Sequence, residues 1–201
     1  ISSGDVVAAF QPKGAADLAA SYVNLNNPGT NNASATNAPN FNTSTGWEFV
    51  AANSDYVDSS VIPVASMTVI VRFADVALAT AETSAVGHYL STTVRLGLQP
   101  TLGSGGSDQS AYSNAGAYIN TSIGYASGVM CVAGQNCYAN GSNVGTTGDA
   151  FSGTATATIL FGARRLENTA SIDLYSNITI IAVAIYSRVL NSTEVADVTT
   201  A

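Results

Sequence analysis

The sequence predicts an all-β protein, a two-sheet antiparallel jelly-roll sandwich with a short helix at its carboxyl end. Three observations lead to this fold class. Short apolar runs recur along the 201 residues, clusters of Gly, Asn, Ser and Thr separate them, and helix-forming stretches are few. Many short strands with turn signals between them are typical of a β-sandwich. Because sandwiches of this length are usually one unit, we expect a single domain over residues 1–201.

The first half of the chain contains the clearest alternating pattern. From Met67 to Phe73, every second residue is Met, Val or Phe, which predicts a strand with one face buried. An alanine-rich stretch predicts one or two helical turns, and a segment rich in Asn, Pro, Gly and Thr predicts a long loop. The elements expected here are a strand at Asp5–Phe10, helical turns in residues 15–22, a loop over residues 24–42, and strands around Trp47–Phe49, Tyr56–Asp58 and Met67–Phe73.

The second half combines short strands with a distinctive carboxyl-terminal tail. Residues 178–186 are apolar on both faces, which predicts a strand deep in the core. Asn191 then caps a short helix, with Glu194 three residues later as its reciprocal partner. Asn140-Gly141 is the sequence typical of a two-residue type I′ hairpin turn. The other predicted strands are Ala85–Tyr89, Thr93–Gln99, Ala117–Ile123, Val129–Val132, Cys137–Ala139 and Thr156–Gly162.

Charge and hydropathy exclude several function classes. Charged residues make up 9% of the chain, the net charge is −7, Lys13 is the only lysine, and only Arg164 and Arg165 are adjacent cations. Because a phosphate backbone requires several cations on one face, we expect no nucleic-acid partner. The longest apolar run is far too short to span a bilayer, so we expect no membrane insertion. A surface poor in charge and rich in hydroxyls suggests an extracellular or virion-surface location.

Two cysteines, Cys131 and Cys137, lie on either side of a predicted turn at Gly134. A hairpin at this turn would bring them toward each other, within the range that a disulfide requires. We therefore expect a disulfide, with two buried free thiols as the alternative. A zinc site is disfavoured, because no His or further Cys lies nearby to complete the ligand shell.

Several segments together resemble the laminin G-like family, whose members have a concanavalin A-like lectin-glucanase jelly-roll fold. The tail matches the family pattern IY-x-R-x-L-x-x-x-E-(I/V). The other matching segments, in the expected order, are DVVAAFQPKG with the loop to NPGT, GWEFVAANSDYVD, SMTVIVRF and CYANGSNVGTT. Residues 97–118 have no clear counterpart and are expected to form an elaborated loop region. In the family pattern, Cys131 and Cys137 fall on the two strands of one hairpin, which supports the disulfide.

Chemistry within the chain is sparse. A retaining glycosidase requires two carboxylates close together, and none of Glu48, Glu82, Glu167 or Glu194 has a second acid two or four residues away. His88, the only histidine, lacks a nucleophile elbow and is expected to be a hydrogen-bonded strand-edge residue. We expect no cofactor. Calcium remains an alternative, since the family can bind it, and the oxygen ligands available are Asp55, Asp58, Asp108, Asp149 and Asp173.

The resemblance implies a role outside catalysis. We expect a non-catalytic structural or adhesion domain on a virion surface (a phage fibre or capsid) or on an extracellular filament, with other protein subunits of that fibre or particle as partners. The alternative is a glycan-binding lectin module that contacts surface glycans, and a glycoside hydrolase is a weaker third hypothesis. Ligand candidates are Tyr112, Tyr118, Tyr125, Arg164 and Arg165, and sequons that could carry N-glycans are Asn32, Asn42, Asn120 and Asn140.

Overall fold

The computed structural model describes residues 2–76, 82–102, 111–114, 118–121, 124–148 and 151–200. Its helices are α1 (Leu18–Ser21) and α2 (Ser192–Thr200). Its strands are β1 (Val6–Phe10), β2 (Asn40–Asn42), β3 (Gly46–Phe49), β4 (Val57–Asp58), β5 (Thr68–Ala74), β6 (Val86–Ser91), β7 (Val94–Gln99), β8 (Ala111–Asn114), β9 (Tyr118–Asn120), β10 (Gly128–Ala133), β11 (Asn136–Ala139), β12 (Ser142–Thr146), β13 (Leu160–Phe161), β14 (Arg164–Leu166), β15 (Ser171–Asp173) and β16 (Ile178–Tyr186).

The described strands form two sheets, which confirms the predicted sandwich. In the first sheet the order is β12-β11-β10-β5-β16-β3-β2, and β1 pairs with the remaining edge of β16. In the second sheet the order is β15-β14-β6-β7-β8-β9, with β13 pairing with β6 and β4 pairing with β13. The pairs are antiparallel apart from β6 with β14, where Arg165 stands opposite His88.

Aromatic residues fill the space between the two sheets. Trp47, the only tryptophan, is fully buried, and its ring centre lies 6.1 Å from those of both Phe10 and Phe161. Phe10 and Trp47 come from the first sheet and Phe161 from the second, so this cluster joins the sheets. The indole Nε1 of Trp47 donates a hydrogen bond of 2.7 Å to Oγ of Ser21, at the end of α1. The polar end of this large side chain is therefore satisfied inside the core.

The carboxyl-terminal tail has the predicted structure. β16 lies in the middle of the first sheet between β5 on one side and β1 and β3 on the other. The backbone N–H of Glu194 donates to Oδ1 of Asn191 at 3.0 Å, and the N–H of Asn191 donates to Oε2 of Glu194 at 2.9 Å. This reciprocal pair is the capping box that the sequence predicted, and it begins α2.

The expected disulfide between Cys131 and Cys137 is wrong, and both cysteines are free and buried. The register of the β10–β11 hairpin explains why. Cys131 pairs with Tyr138, while Cys137 pairs with Val132, one position along each strand. Because successive residues of a strand face opposite ways, Cys137 packs between the sheets and Cys131 packs beneath α2 with Tyr138. The alternative of two buried free thiols therefore describes the protein.

The region expected to be an elaborated loop is partly strand. Residues 111–114 form β8, which extends the second sheet beyond β7. The strand predicted at Ala117–Ile123 is β9 (Tyr118–Asn120), and residues 117, 122 and 123 of that prediction lie outside the described residues. The predicted type I′ turn is confirmed, since Asn140 and Gly141 both have positive φ, 47° and 81°. Within the described ranges, no helix is long and apolar enough to cross a membrane.

Candidate functional site

The second sheet turns one side toward the core and carries polar residues on the other. In β7, Leu96 and Leu98 pack between the sheets, whereas Arg95, Gly97 and Gln99 alternate with them and belong to the opposite side. Gly97 stands opposite Gly87 of β6. Arg95, Gly97 and Gln99 are all buried, so the outward side of β7 carries polar groups that are largely covered.

A depression of about 240 Å³ lies on this outward side, at one end of β7 and β14. We call it the Arg164 depression; its lining residues are Glu82, Gln99, Leu102, Asn120 and Arg164. The set combines a carboxylate, two amides, a guanidinium and one apolar side chain. Its volume is slightly below the roughly 300 Å³ at which drug-sized ligand pockets begin. A site of this size and composition suits a small polar ligand rich in hydroxyl groups.

Arg164 is held in place by two neighbours. Its Nε and Nη2 donate to the two carboxylate oxygens of Asp173 at 2.9 and 2.6 Å, across the β14–β15 ladder. Its guanidinium carbon also lies 5.8 Å from the centre of the Tyr89 ring. A bidentate carboxylate and an aromatic ring together fix both the direction and the plane of a guanidinium.

Gly87 allows β14 to come close enough for this arrangement. A Cβ atom at Gly87 would lie 2.6 Å from Cα of Arg164 and 2.7 Å from the carbonyl oxygen of Ala163. Any larger residue would therefore push β14 away from β6. Gly87 therefore supports the site, because it determines the position of the Arg164 backbone.

Arg165 points away from the depression, although the sequence predicts it as a ligand candidate together with Arg164. Consecutive strand residues face opposite ways, and Nη2 of Arg165 donates to Oδ2 of Asp58 at 2.6 Å while its Nε donates to the carbonyl of Thr158 at 3.0 Å. Arg165 thus joins β14 to β4 and the segment before β13. The structure brings only one of the two predicted arginines to the depression.

The only histidine supports the fold. Nε2 of His88 is hydrogen-bonded to Oε2 of Glu167 at 2.8 Å, and the imidazole is fully buried. Burial lowers the pKa of His88 more than the Glu167 carboxylate raises it, so the ring is neutral near pH 7. Glu167 also accepts hydrogen bonds from the backbone N–H groups of Thr156 and Ala157. These hydrogen bonds join the backbone of the segment before β13 to the Glu167 side chain. The sequence predicts a strand over Thr156–Gly162, but β13 begins only at Leu160.

Of the predicted tyrosine trio, the structure describes the side chain of Tyr125 only. Tyr125 is half-buried against the core, and burial raises its pKa. Tyr112 lies in β8 opposite Leu98 and Ile119, and Tyr118 lies in β9 opposite Ser113. Among the described side chains, Tyr89 lies beside Arg164, and the sequence does not single it out as a ligand candidate.

Most carboxylates that were candidates for catalysis or calcium binding already have structural partners. Glu48 accepts from Thr45, and Glu194 caps α2 and pairs with Arg188. Asp55, Asp58 and Asp173 accept from Val50, Arg165 and Arg164, while Asp108 and Asp149 lie outside the described residues. Glu82 differs from these, because it is exposed and lines the depression. Within the described ranges, no group of three or more His, Cys, Asp and Glu could hold a metal ion.

The four favoured sequons lie in different settings. Oδ1 of Asn32 accepts from two backbone N–H groups, Oδ1 of Asn42 accepts from one, and Oδ1 of Asn140 accepts from Val129 within the hairpin. Asn120 is exposed and lines the Arg164 depression. The same surface position could carry an attached glycan or contact a bound one.

Comparison with solved structures places the fold beside domains of carbohydrate-active proteins. A mutant of Trypanosoma rangeli sialidase that displays trans-sialidase activity is similar over 98% of this chain, with a TM-score of 0.66 and 16% identity. The sialidase in complex with sialic acid gives a TM-score of 0.62, again at 16% identity. This chain spans about a third of each sialidase, 33% and 32% of their lengths.

A second kind of neighbour matches the present chain from end to end. Domain 4 of AbnA, a GH43 extracellular arabinanase from Geobacillus stearothermophilus, is solved in complex with arabinotriose. It is similar over 96% of this chain and 98% of its own, with a TM-score of 0.59 and 14% identity. No family model matches the sequence, and no curated protein does.

These neighbours correct the predicted function. The sequence predicts a structural or adhesion role on a virion or filament, but the similar structures are sialidases and a domain of an extracellular arabinanase. At identities of 14–16% the likeness establishes the β-sandwich fold. The sequence does not predict that Glu82, Gln99 and Asn120 line one depression, because these residues are far apart in the chain. The alternation of Arg95, Gly97 and Gln99 with apolar residues was the available signal for a polar outward side.

Proposed function

We propose that this chain is a carbohydrate-binding module, a single laminin G-like, concanavalin A-like domain over residues 1–201, and that it binds a neutral saccharide in the Arg164 depression. The observation that carries the proposal is the depression itself, where Glu82, Gln99, Asn120 and Arg164 converge around Leu102. The arabinanase domain in complex with arabinotriose supports it, because that domain has the same fold over nearly its whole length. Binding does not require catalysis by this chain.

The side chains suit the groups that a sugar presents. Carboxylate and guanidinium groups make charge-assisted hydrogen bonds to hydroxyls, and an amide both donates and accepts. Glu82 and Arg164 would take two neighbouring hydroxyls, while Gln99 and Asn120 would fix the orientation of the ring. Leu102 offers an apolar contact for the C–H face of the sugar. Since Asp173 and Tyr89 already hold Arg164, little side-chain entropy is lost when a ligand binds.

Charge balance favours a neutral ligand over an acidic one. Among the described residues, the cations near the depression are Arg164 and Arg95, and the carboxylates are Asp173 and Glu82. Arg164 is already paired with Asp173, and the protein as a whole carries a net charge of −7. A sialic or uronic acid carboxylate would meet Glu82 without a dedicated cation to offset it. A neutral pentose or hexose unit meets no such repulsion.

A glycan array with matched neutral and sialylated oligosaccharides tests this function. Protein produced in a bacterial host avoids an attached glycan at Asn120. We expect binding to neutral oligosaccharides, which Asn120→Ala weakens and Asn42→Ala, a sequon outside the depression, leaves unchanged. Absence of binding to every glycan at millimolar monosaccharide concentration would overturn the proposal, and preference for sialylated members would overturn its choice of ligand class.

A further inference from the structure

The described residues of the chain cover only part of the outward side of the first sheet. α2 lies across one half, where Leu190 and Val195 pack against Ile70, Cys131 and Tyr138. The other half forms a groove of about 850 Å³, larger than the Arg164 depression and on the opposite sheet. An apolar surface of this kind beside a packed helix is incomplete as a layer of the fold.

Small residues form the floor of this groove. Ala9 of β1 pairs with Ala184 of β16, and Ala182 stands opposite Arg72 of β5. Larger side chains form the two walls of the groove. Leu25, which is 57% exposed, lines one wall, and Val198 of α2 lines the other. A floor of alanines lets the backbone of an incoming element come close to the sheet.

Backbone pairing at the neighbouring sheet edge is already satisfied, which excludes an added strand. The segment after α1 covers the edge of β1: the N–H of Leu25 donates to the carbonyl of Ala9 at 2.9 Å. Asn24 donates to the carbonyl of Val7 and accepts from the N–H of Ala9, both at 3.0 Å. An occupant of the groove must therefore bring its own paired backbone, as a helix does.

The charges around the groove are of one sign. Among the described residues that line it, Lys13 and Arg72 are the charged ones, although the chain has 13 acidic and 6 basic residues. Lys13 is exposed, and Arg72 donates to the carbonyl of Thr199 at 3.2 Å. Concentration of cations at an apolar groove of an acidic protein indicates an occupant with acidic flanks.

We propose that this groove is a docking site for an amphipathic helix of a partner protein, with an apolar ridge against the alanines and acidic residues beside Lys13 and Arg72. A second copy of this chain fits less well. A two-fold contact through the groove would bring Lys13 and Arg72 of each copy toward the same two cations of the other. The site is separate from the Arg164 depression, so the proposal does not depend on saccharide binding.

A display library of amphipathic helical peptides, selected against the complete chain, tests the proposal. We expect the selected helices to be enriched in Asp and Glu beside their apolar ridge. Lys13→Glu should weaken a selected peptide about tenfold, as expected for the loss of one attraction and the gain of one repulsion at a partly exposed site. Ala184→Trp, which fills the floor, should abolish binding. Lys13→Gln is the intermediate control, and thermal unfolding checks that each variant is folded.

Three results would overturn the proposal. Selection could yield no binder, or binders without an acidic bias. Lys13→Glu and Ala184→Trp could both leave the affinity unchanged, which would place the peptide elsewhere. Sedimentation could find the unliganded chain dimeric and Ala184→Trp monomeric, which would make a second copy the occupant.

Discussion

The guanidinium of Arg164 lies over the ring of Tyr89, with 5.8 Å between its central carbon and the ring centre. The same guanidinium forms an ion pair with the carboxylate of Asp173. Tyr89 belongs to β6 and Arg164 to β14, and Gly87 allows these two strands to approach each other. The proposed saccharide site thus rests on a rigid part of the second sheet. This arrangement has a direct consequence for the supporting carboxylate.

Asp173→Asn should weaken saccharide binding about three- to tenfold while Arg164 itself is retained, because the guanidinium loses its charged partner and its fixed orientation. Titration calorimetry measures the affinity. Asp58→Asn is the matched control, since it removes the analogous partner of Arg165 on the other side of β14. Equal losses in the two variants would show that general destabilisation, and not the position of Arg164, controls binding.

Acid should destabilise the protein through Glu167 and His88. Hydrogen bonds from Thr156, His88 and Ala157 outweigh the opposing effect of burial and lower the pKa of Glu167 to about 2. The unfolded chain binds protons more readily than the folded one below the ordinary pKa of Glu167, 4.5, so stability falls from there toward pH 2. Burial lowers the pKa of His88 below its ordinary value of 6.5. The folded protein therefore also loses stability through His88 as the pH falls, and this loss begins at a higher pH than the loss through Glu167.

Glu167→Gln isolates this carboxylate. At pH 7 the variant should lose about 1–3 kcal/mol of unfolding free energy, the usual cost of disrupting hydrogen bonds to a charged group. Below pH 4.5 the difference in unfolding free energy between wild type and variant should decrease, because the wild-type carboxylate also becomes neutral. Urea unfolding at a series of pH values measures both quantities. A gap that stays constant down to pH 2 would contradict the lowered pKa.

Cys131 and Cys137 should both titrate as free thiols in denaturant without any reductant. In the native state, reaction with a thiol reagent should be slow, because burial raises the pKa of both thiols, that of Cys137 to about 12. Intact mass before and after reduction checks the oxidation state. A reducible bond between the two cysteines would contradict the register of the β10–β11 hairpin.

Ser21→Ala should reduce the unfolding free energy by about 1–3 kcal/mol, because the buried indole N–H of Trp47 would lose its acceptor. Thermal or urea unfolding measures the loss, and Trp47 fluorescence reports whether the core stays packed. Ser44→Ala, at an exposed turn, serves as a comparison with no buried partner. Equal stability of Ser21→Ala and wild type would contradict the role of this hydrogen bond.

Local features were predictable from the sequence, and features that depend on register or on distant residues were not. The Asn140-Gly141 turn and the Asn191–Glu194 cap each follow from a few adjacent residues. The disulfide prediction failed because hairpin proximity does not determine which face a cysteine occupies, and one step of register separates Cys131 from Cys137.

The candidate site was harder to predict than the fold. Glu82 and Asn120 are 38 positions apart and meet only because β6, β7, β8 and β9 are neighbours in one sheet. The sequence predicts both Arg164 and Arg165 as ligand candidates, because adjacent arginines suggest a cationic pair. Strand alternation sends the two side chains to opposite faces, and the partner strands determine which one meets the depression.

The central claim, that a neutral saccharide binds in the Arg164 depression, is tested most directly by calorimetric titration of one neutral oligosaccharide into wild type, Arg164→Ala and Arg165→Ala. We predict that Arg165→Ala binds as wild type does, and that Arg164→Ala loses at least about tenfold in affinity, which is typical for removal of a charged hydrogen-bonding group from a binding site. Each variant removes one ion pair from β14, which makes Arg165→Ala the matched control. Unchanged affinity in Arg164→Ala, or an equal loss in both variants, would contradict the account.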